Sequence, residues 1–256
     1  MYKEQVLITG GSKGIGLGLA KCFLNAGCRV LITGRDLKKL EQAAIAIPGL
    51  EIYQNDISEP VEREALAIHI RKVMPGITYL INNAGMQRRI PLVEDNAPWA
   101  ERQMEIDTLL SGPIHLNHLL IPVLLKAGKH STLINVTSGG AYVPQVFAPV
   151  YSACKAALHH YTLILRHALS QTSCRVVELI PPAVRTELAG PGQSHGATIE
   201  DFCKSIFADL KQPGKLDIGY AQTTDLKTQL SGRLVEELMK ASAARFPVAT
   251  YMDCDE

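Results

Sequence analysis

The strongest constraint on this chain is the regular alternation of short apolar segments with longer segments of helical pattern. The short segments are rich in β-branched residues and favour strands, while the longer ones carry apolar residues at helical spacing. This alternation is typical of βαβ units that build a parallel sheet. The sequence therefore predicts an α/β fold, a doubly wound parallel seven-stranded sheet of Rossmann type in a single domain that spans residues 1–256.

The predicted elements follow one another in a regular order. Strands are predicted at residues 6–9, 29–33, 51–54, 78–82, 132–137, 175–180 and 216–218. Helices are predicted at residues 14–26, 36–45, 61–74, 99–126, 151–171 and 198–211. The two longest helices flank the fifth strand, and their wide apolar faces pack either on the sheet or on another subunit. The second alternative leads us to expect a homodimer or homotetramer.

Composition excludes several classes of function. The 26 Lys and Arg residues nearly balance the 25 Asp and Glu residues, so no general attraction to nucleic acid or to an anionic membrane is expected. The six cysteines form no Cys-x-x-Cys pair and no cluster with histidine, which argues against a metal site and a disulfide framework. No stretch approaches about eighteen uninterrupted apolar residues, so we expect no membrane span. These features favour a cytoplasmic protein.

Glycines follow the first predicted strand directly. Residues 9–16 read Thr-Gly-Gly-Ser-Lys-Gly-Ile-Gly and lead into the first predicted helix. Glycines let the backbone turn tightly and approach a pyrophosphate, and a helix N-terminus presents free N–H groups and positive dipole charge. The bare pattern is also compatible with a turn that binds nothing, but its place between a strand and a helix favours a phosphate site.

This spacing resembles the Thr-Gly-x-x-x-Gly-x-Gly motif of the short-chain dehydrogenase/reductase family. Residues 82–85, Asn-Asn-Ala-Gly, close the fourth predicted strand as the same motif does in that family. Asp56 matches the family's acidic residue beside the adenine ring. The resemblance implies that these motifs bind a dinucleotide. The implied binding residues are Gly10, Ser12, Lys13, Gly14, Ile15, Gly16, Asp56, Asn83, Ala84 and Gly85.

The end of the second predicted strand indicates which dinucleotide is bound. An NAD-selective enzyme normally places a carboxylate there, whereas this chain has Gly34 followed by Arg35. A guanidinium can pair bidentately with a 2′-phosphate, and Lys13 adds a second positive charge. Together these residues predict NADP(H). In the alternative, Arg35 pairs with Asp36 or Glu41 on the surface and Lys13 is merely solvated.

Three residues predict the chemistry. Tyr151 and Lys155 are four positions apart and so share one face of a helix. A phenol with a pKa of ~10 is a poor acid or base at neutral pH unless its anion is favoured, and a nearby ammonium supplies that bias. Ser138 precedes Tyr151 by the separation found in the resembling family, and its hydroxyl can donate to the developing oxyanion of a carbonyl substrate. The resemblance implies that Tyr151 and Lys155 are also cofactor-binding residues and that Lys155 holds the nicotinamide ribose.

The segment after the sixth predicted strand adds further residues. Residues 181–186, Pro-Pro-Ala-Val-Arg-Thr, resemble the family's Pro-Gly-x-Val-x-Thr segment, whose backbone contacts the nicotinamide carboxamide. The implied cofactor-binding residues here are Pro181, Val184 and Thr186. Pro182 stands in place of the common glycine, and the resulting Pro-Pro-x-Val-x-Thr segment resembles that of a bacterial branch of the family.

A substrate lid is predicted at residues 186–210, and residues 94–99 and 141–150 are candidates for further walls. The predicted lid contains several apolar side chains, which indicates a small, partly apolar carbonyl or alcohol substrate. These side chains are Leu188, Ile199, Phe202, Ile206 and Phe207.

Leu109 departs from the family pattern. Many members carry an asparagine three residues ahead of a glycine, where it holds a water that connects the lysine to solvent; Gly112 fits that glycine, so Leu109 occupies the place. General acid/base assistance contributes roughly 10²- to 10⁴-fold, so we expect Leu109 to reduce turnover without abolishing cofactor binding. Ser111 or a repositioned water is an alternative route for the proton. The rival function is a dinucleotide-binding redox sensor or scaffold with weakened catalysis.

Overall fold

The computed structural model describes residues 4–127, 130–189, 196–230, 234, 237–238, 241 and 244–247. Seven parallel strands form one sheet in the order β3-β2-β1-β4-β5-β6-β7. The strands are β1 (Gln5–Ile8), β2 (Arg29–Gly34), β3 (Glu51–Gln54), β4 (Tyr79–Asn82), β5 (Ser131–Val136), β6 (Cys174–Ile180) and β7 (Asp217–Gly219). The predicted doubly wound sheet is confirmed, and each predicted strand end lies within one residue of the observed one.

Helices connect the strands and cover both faces of the sheet. They are α1 (Gly14–Asn25), α2 (Leu37–Ala46), α3 (Pro60–Val73), α4 (Trp99–Ile106), α5 (Gly112–Lys126), α6 (Pro149–Ala168), α7 (Ile199–Leu210) and the short α8 (Leu226–Gln229). The side chains of β1 alternate between two cores: Val6 and Ile8 pack with α1 and α7, while Leu7 packs with α3 and α5. Fully buried parallel strands of this kind account for the continuous apolar runs in the sequence.

The predicted helix at residues 99–126 is interrupted. A π-helical segment, Asp107–Ser111, separates α4 from α5, and the Gly112 N–H donates to the Asp107 carbonyl five residues back. Pro113 follows and has no N–H with which to continue the α-helical ladder. Such segments occur frequently at functional sites, and here the segment contains Leu109.

The stretch Trp99–Lys126 is long and apolar enough to cross a membrane by length and composition, but half of its most apolar part is buried. Leu116, Leu120 and Leu124 of α5 are fully buried against α3 and the sheet. This apolar face of α5 therefore packs inside the domain, on the sheet, and not on another subunit.

The sheet order places one crevice at its carboxyl edge. Strand β1 has β2 on one side and β4 on the other, so the connections after β1 and β4 leave toward opposite faces. Ligands of open α/β sheets bind at such a switch point, outside the carboxyl ends of the strands. The predicted site residues all follow strands at this edge or lie on helices that face it.

Candidate active site

One large cavity runs along the carboxyl edge of the sheet, with a volume of about 1540 Å³. Its walls come from the turns after β1 to β6, from α6, and from the segment after β7. Most of the predicted site residues line it. These are Gly10, Ser12, Lys13, Gly14, Ile15, Arg35, Asp56, Asn83, Ala84, Gly85, Ser138, Tyr151, Lys155, Pro181, Val184 and Thr186.

The turn after β1 has a backbone that requires glycine. Gly10 adopts φ +64°, and a Cβ on it would lie 2.6 Å from the Cα of Ala84. The Asn83 side-chain amide donates to the carbonyls of Thr9 (2.9 Å) and Gly10 (3.0 Å), which holds the turn against the end of β4. Gly16 is not among the residues that line the cavity; a Cβ there would lie 2.5 Å from the Asn83 amide nitrogen. Gly16 therefore allows packing inside the turn.

The N-terminus of α1 points its first residues at the cavity. Its N-cap residue, Lys13, makes no side-chain capping hydrogen bond, and both Gly14 and Ile15 line the cavity. An uncapped helix start leaves backbone N–H groups available to an anion. The Thr186 side chain lies directly beside Gly14, 3.4 Å from where a Cβ on that glycine would be.

Positive charge gathers at the end of the cavity next to β2. Arg35 is exposed, its Nη1 lies 3.9 Å from the Met104 sulfur, and it forms no ion pair with any carboxylate of the described chain. Lys39 lies beside it, with its Nζ 4.0 Å from a carboxylate oxygen of Asp36. The expected alternative partners of Arg35, Asp36 and Glu41, do not pair with it. Lys13 is not merely solvated either, because it forms an ion pair with Glu187.

The three predicted catalytic residues meet at the centre of the cavity. Ser138 lies just past β5, and Tyr151 and Lys155 lie on successive turns of α6. The side chains of Ser138 and Tyr151 share a hydrogen bond. The Lys155 Nζ lies 5.7 Å from the centroid of the Tyr151 ring and donates to the Val136 carbonyl at 2.6 Å. All three residues are buried.

Burial dominates the electrostatics of this trio. It raises the pKa of Tyr151, the hydrogen bond with Ser138 works in the opposite direction, and the Glu105 carboxylate raises the pKa further. Burial also lowers the pKa of Lys155 to about 8. The sequence predicted that a nearby ammonium would favour the Tyr151 anion. In the structure the Lys155 ammonium is instead directed at Val136, so desolvation prevails and Tyr151 is held in its protonated form.

A buried carboxylate behind Ser138 was not predicted from the sequence. Glu178 of β6 is fully buried and accepts hydrogen bonds from Thr137 (2.7 Å) and Tyr142 (3.1 Å), with the His159 Nδ1 at 2.8 Å. Thr137 directly precedes Ser138, and His159 lies one helical turn after Lys155 on α6. This network links β5, β6 and α6 behind the site, and it orients the backbone that carries the serine.

A chain of buried amides joins the strands below the site. The Asn82 amide donates to the side-chain oxygens of Asn117 (2.7 Å) and Asn135 (2.9 Å), and the Asn135 amide donates to Thr162 (2.9 Å). These residues belong to β4, α5, β5 and α6. Buried amides that pair with one another specify one relative position of these elements.

Leu109 lies close to the trio but does not line the cavity. Its side chain is fully buried in a small apolar cluster with Ala148, Tyr151 and Cys154. Glu105, one turn earlier on α4, is also buried and accepts a hydrogen bond from the Arg88 backbone N–H at 3.0 Å. The side chain at position 109 therefore packs against Tyr151 and offers no polar atom.

The predicted lid falls partly outside the described residues, which omit 190–195. Leu188 and Ile199 line the cavity. Phe202 and Ile206 are fully buried in the core between α1 and α7, so the expectation that they cover the site is wrong. Phe207 packs on the same core, with its ring 5.0 Å from that of Phe23. These residues were misassigned because a core-facing helix and an apolar lid have the same spacing.

The opposite end of the cavity has walls that the sequence only partly indicated. Of the two candidate walls, residues 141–150 contribute Val143, Gln145 and Phe147, whereas residues 94–99 contribute none of the described lining side chains. Leucines after β7 form a further wall, and their spacing of four residues is the signal that would have found them. They are Leu226, Leu230, Leu234 and Leu238.

Arginine and glutamine side chains complete this end. Arg89 stacks over the Phe147 ring, with its Cζ 4.2 Å from the centroid, and donates to Gln87 at 3.2 Å. Gln87 in turn donates to Gln145 at 3.2 Å. Arg245 lies over the Phe246 ring, with its Cζ 5.3 Å from the ring centroid.

Among the residues that the structure describes, no group of histidine, cysteine and carboxylate side chains has the arrangement of a metal site.

Known proteins resemble this chain over most of its length. The sequence model of the short chain dehydrogenase family matches residues 4–195. The uncharacterized oxidoreductase DltE of Bacillus subtilis is 38% identical over 224 residues, which cover 85% of this chain and 88% of that protein. The NADPH-dependent 1-acyldihydroxyacetone phosphate reductase of Schizosaccharomyces pombe is 32% identical over 188 residues, 73% of this chain and 62% of that protein.

A solved structure has the same architecture. A short chain dehydrogenase from Burkholderia cenocepacia, in complex with NADP, superimposes with a TM-score of 0.79 at 25% identity. The superposition covers 97% of this chain and 100% of that one. The likeness therefore extends over nearly the whole chain.

Proposed function

The chain belongs to the short-chain dehydrogenase/reductase family, and from that membership we propose that it is an NADP(H)-dependent oxidoreductase that interconverts a carbonyl and an alcohol. The proposal assigns Tyr151 as the general acid/base, Ser138 as the hydrogen-bond donor to the reacting oxygen, and Lys155 as the cation beside them. The observation that carries it is the meeting of these three buried side chains in one cavity with the glycine turn of β1.

The cofactor end of the cavity fits a dinucleotide with a 2′-phosphate. The uncapped start of α1 and the tight approach of Gly10 to Ala84 form a turn that a pyrophosphate can approach closely. Arg35 and Lys39 would hold the 2′-phosphate, since Arg35 has no competing carboxylate among the described residues. The relative from S. pombe is named as NADPH-dependent, and the relative from B. cenocepacia is in complex with NADP, which supports the same choice.

The residues of the trio divide the work of carbonyl reduction. The bound dinucleotide supplies the hydride that adds to the carbonyl carbon. Tyr151, whose phenol is protonated at neutral pH, donates its proton to the carbonyl oxygen. Ser138 hydrogen-bonds to the same oxygen as negative charge develops on it, and Glu178 holds the preceding residue through Thr137. Alcohol oxidation runs through the same atoms in reverse.

Oxidation of NADPH and of NADH in the presence of a panel of aldehydes, ketones and quinones tests the proposal. We expect turnover with at least one compound and a lower KM for NADPH than for NADH. Tight NADPH binding without turnover on any compound would refute the enzymatic role. A preference for NADH would refute the assignment of Arg35.

The second candidate is a dinucleotide-binding redox sensor or scaffold with weakened catalysis. The observation that favours it is the fully apolar surrounding of Leu109, which packs directly against Tyr151. Replacement of Leu109 by asparagine separates the two candidates. An increase in kcat and a changed pH profile would support a damaged proton route, whereas unchanged values would show that proton transfer does not depend on position 109.

Assembly and location are part of the proposal. We propose a homodimer or homotetramer formed through α4 and α6, on which Trp99, Met104 and Ile164 expose large apolar side chains. Sedimentation velocity of the wild type and of Ile164→Glu tests this, and a monomeric wild type would contradict it.

The described cysteines are free thiols, most of them buried, which supports a cytoplasmic protein.

A further inference from the structure

Two consecutive arginines after β4 have opposite electrostatic surroundings. The Arg88 guanidinium donates to both carboxylate oxygens of Asp95, at 2.7 and 2.8 Å, and lies 3.3 Å from Glu101. Asp95 is shared with Arg102 at 2.9 Å, so its charge is fully engaged. The hydrogen bond to Asp95 raises the pKa of Arg88. The charge of Arg88 is therefore neutralised within the protein.

Arg89 is partly buried but has no such partner. Its hydrogen bond with a described side chain is the one to the neutral amide of Gln87 (3.2 Å), and no carboxylate of the described chain forms an ion pair with it. Partial burial lowers the pKa of Arg89. Removing a cation from water without a counter-ion is unfavourable unless a ligand supplies one.

The position of Arg89 connects it with the reacting centre. The guanidinium stacks on Phe147, which packs against the cluster that contains Tyr151. From Gln87 the hydrogen bonds continue to Gln145, whose side chain lies against Gly140. Gly140 donates its N–H to the Ser138 hydroxyl at 3.0 Å. Arg89 thus belongs to the same connected wall as the predicted catalytic serine.

The carboxylates that line the cavity are confined to one end. The described carboxylates in its walls are Asp36, Asp56 and Glu187, and all three lie at the cofactor end. The other end has Arg89 and Arg245, with neutral amides and leucines between them. Glu105 is nearby but lies behind the wall and accepts a hydrogen bond from the Arg88 backbone. An anion placed beside Arg89 would therefore meet no opposing carboxylate in the described wall.

We infer that Arg89 binds an oxyanion group of the substrate, a carboxylate, sulfonate or phosphate, and so selects carbonyl compounds that carry one. The inference rests on the proposed function. The contact with Phe147 and the hydrogen bond from Nη1 to Gln87 position the guanidinium, and its Nε and Nη2 groups would make the bidentate contact with the anion. The leucines after β7 cover the apolar part of the same molecule. The substrate is accordingly amphipathic, with an anionic group at a distance from the reacting carbonyl.

A matched pair of aldehydes tests this. 4-Formylbenzoate and 4-formylbenzamide have the same shape and differ in charge. We expect the wild type to prefer the benzoate in kcat/KM, and Arg89→Gln to lower the preference by about 10- to 100-fold, the usual effect of removing a charge-assisted hydrogen bond. Arg89→Lys keeps the charge without the planar fork, so an intermediate preference is expected. Arg71→Gln removes the same charge from α3, outside the cavity, and is the control.

A binding measurement keeps this inference separate from the proposed function. Calorimetric titration of benzoate and of benzamide into the NADP⁺-loaded protein reports the anion site without turnover. Equal turnover of both aldehydes, or an unchanged preference in Arg89→Gln and Arg89→Lys, overturns the inference while the oxidoreductase stands. If neither aldehyde is reduced, benzoate binding that Arg89→Gln abolishes still supports the anion site. Failure of the wild type to bind benzoate in preference to benzamide overturns it.

Discussion

The two ends of the cavity are built in different ways. At the cofactor end, the backbone forms the surface: a glycine turn, the start of α1 and the ends of adjacent strands. At the substrate end, side chains from distant segments form it, with Arg89 from the β4 connection, Phe147 before α6 and leucines after β7. Under the proposed function, the pyrophosphate of the dinucleotide would lie against main chain and its 2′-phosphate against Arg35 and Lys39, whereas the substrate would lie almost entirely against side chains.

The two ends also differ in what holds them in place. The glycine turn is held by hydrogen bonds from Asn83 to two backbone carbonyls, directly at the edge of the sheet. Arg89 depends on the Gln87–Gln145 contact and on stacking with one aromatic ring. A single substitution should therefore alter the substrate end without disturbing the cofactor end.

Tyr151 lies between the cofactor end and the substrate end of the cavity. Among the substitutions considered, its replacement should change activity most. Tyr151→Phe removes the proton donor, so we expect kcat to fall by roughly 10²- to 10⁴-fold while the Kd of NADPH changes little. Steady-state rates and a fluorescence titration measure the two quantities. Tyr53→Phe, on β3 where the ring stacks on His69, is the control. A large change in the Kd of NADPH would break the division into two ends.

The buried Lys155 should make the free energy of unfolding of the protein depend on pH. Burial lowers its pKa from 10.5 to about 8, so between these values the unfolded state binds more protons and the free energy of unfolding rises with pH. Relative to Lys155→Met, the wild type should gain up to about 3 kcal/mol from pH 8 to 10.5. Urea unfolding of both proteins across this range measures the difference. A pH-independent difference would show that Lys155 is not desolvated as the structure has it.

Replacement of Arg35 should affect the binding of NADPH but not of NADH. Arg35→Ser should raise the Kd of NADPH by about 10- to 100-fold and leave the Kd of NADH nearly unchanged, because only NADPH carries the 2′-phosphate. Lys38→Ser removes a charge from α2, three residues after Arg35 and outside the cavity, and serves as the matched control. Equal losses for both dinucleotides would place Arg35 elsewhere than at the phosphate.

Replacement of Glu187 should have the smallest effect, a slightly tighter binding of NADPH. Its carboxylate pairs with Lys13, which lowers the pKa of Glu187, and the pair is exposed at the mouth of the cavity. Glu187→Gln frees the ammonium, so NADPH should bind more tightly by no more than about fivefold, and less so at high salt. Titration at two ionic strengths measures this, with Glu41→Gln as the control. Weaker binding would mean that Glu187 itself contacts the ligand.

The sheet and the cofactor end could be predicted because their determinants are local. Each strand is a short β-branched run, and the requirement for glycine at position 10 follows from one backbone conformation and one close approach. The π-helical segment around Leu109 was missed, since its apolar spacing continues that of α4 and α5.

The rest of the site depends on contacts between residues far apart in the chain. Glu178 meets Tyr142 and His159 only because β6 lies beside β5 and under α6. No local pattern distinguishes Arg89 from Arg88, and only the position of Asp95 decides which arginine is neutralised. Local spacing likewise could not separate the core-facing side of α7 from a lid.

The leucine row after β7 has a practical consequence for protein engineering. The family match ends at residue 195, whereas this row begins at Leu226, so the outer wall of the cavity comes from a stretch that the shared pattern does not include. Such a stretch is a natural unit for transplantation: exchanging it between homologues would redirect selectivity while the hydride-transfer machinery is inherited intact.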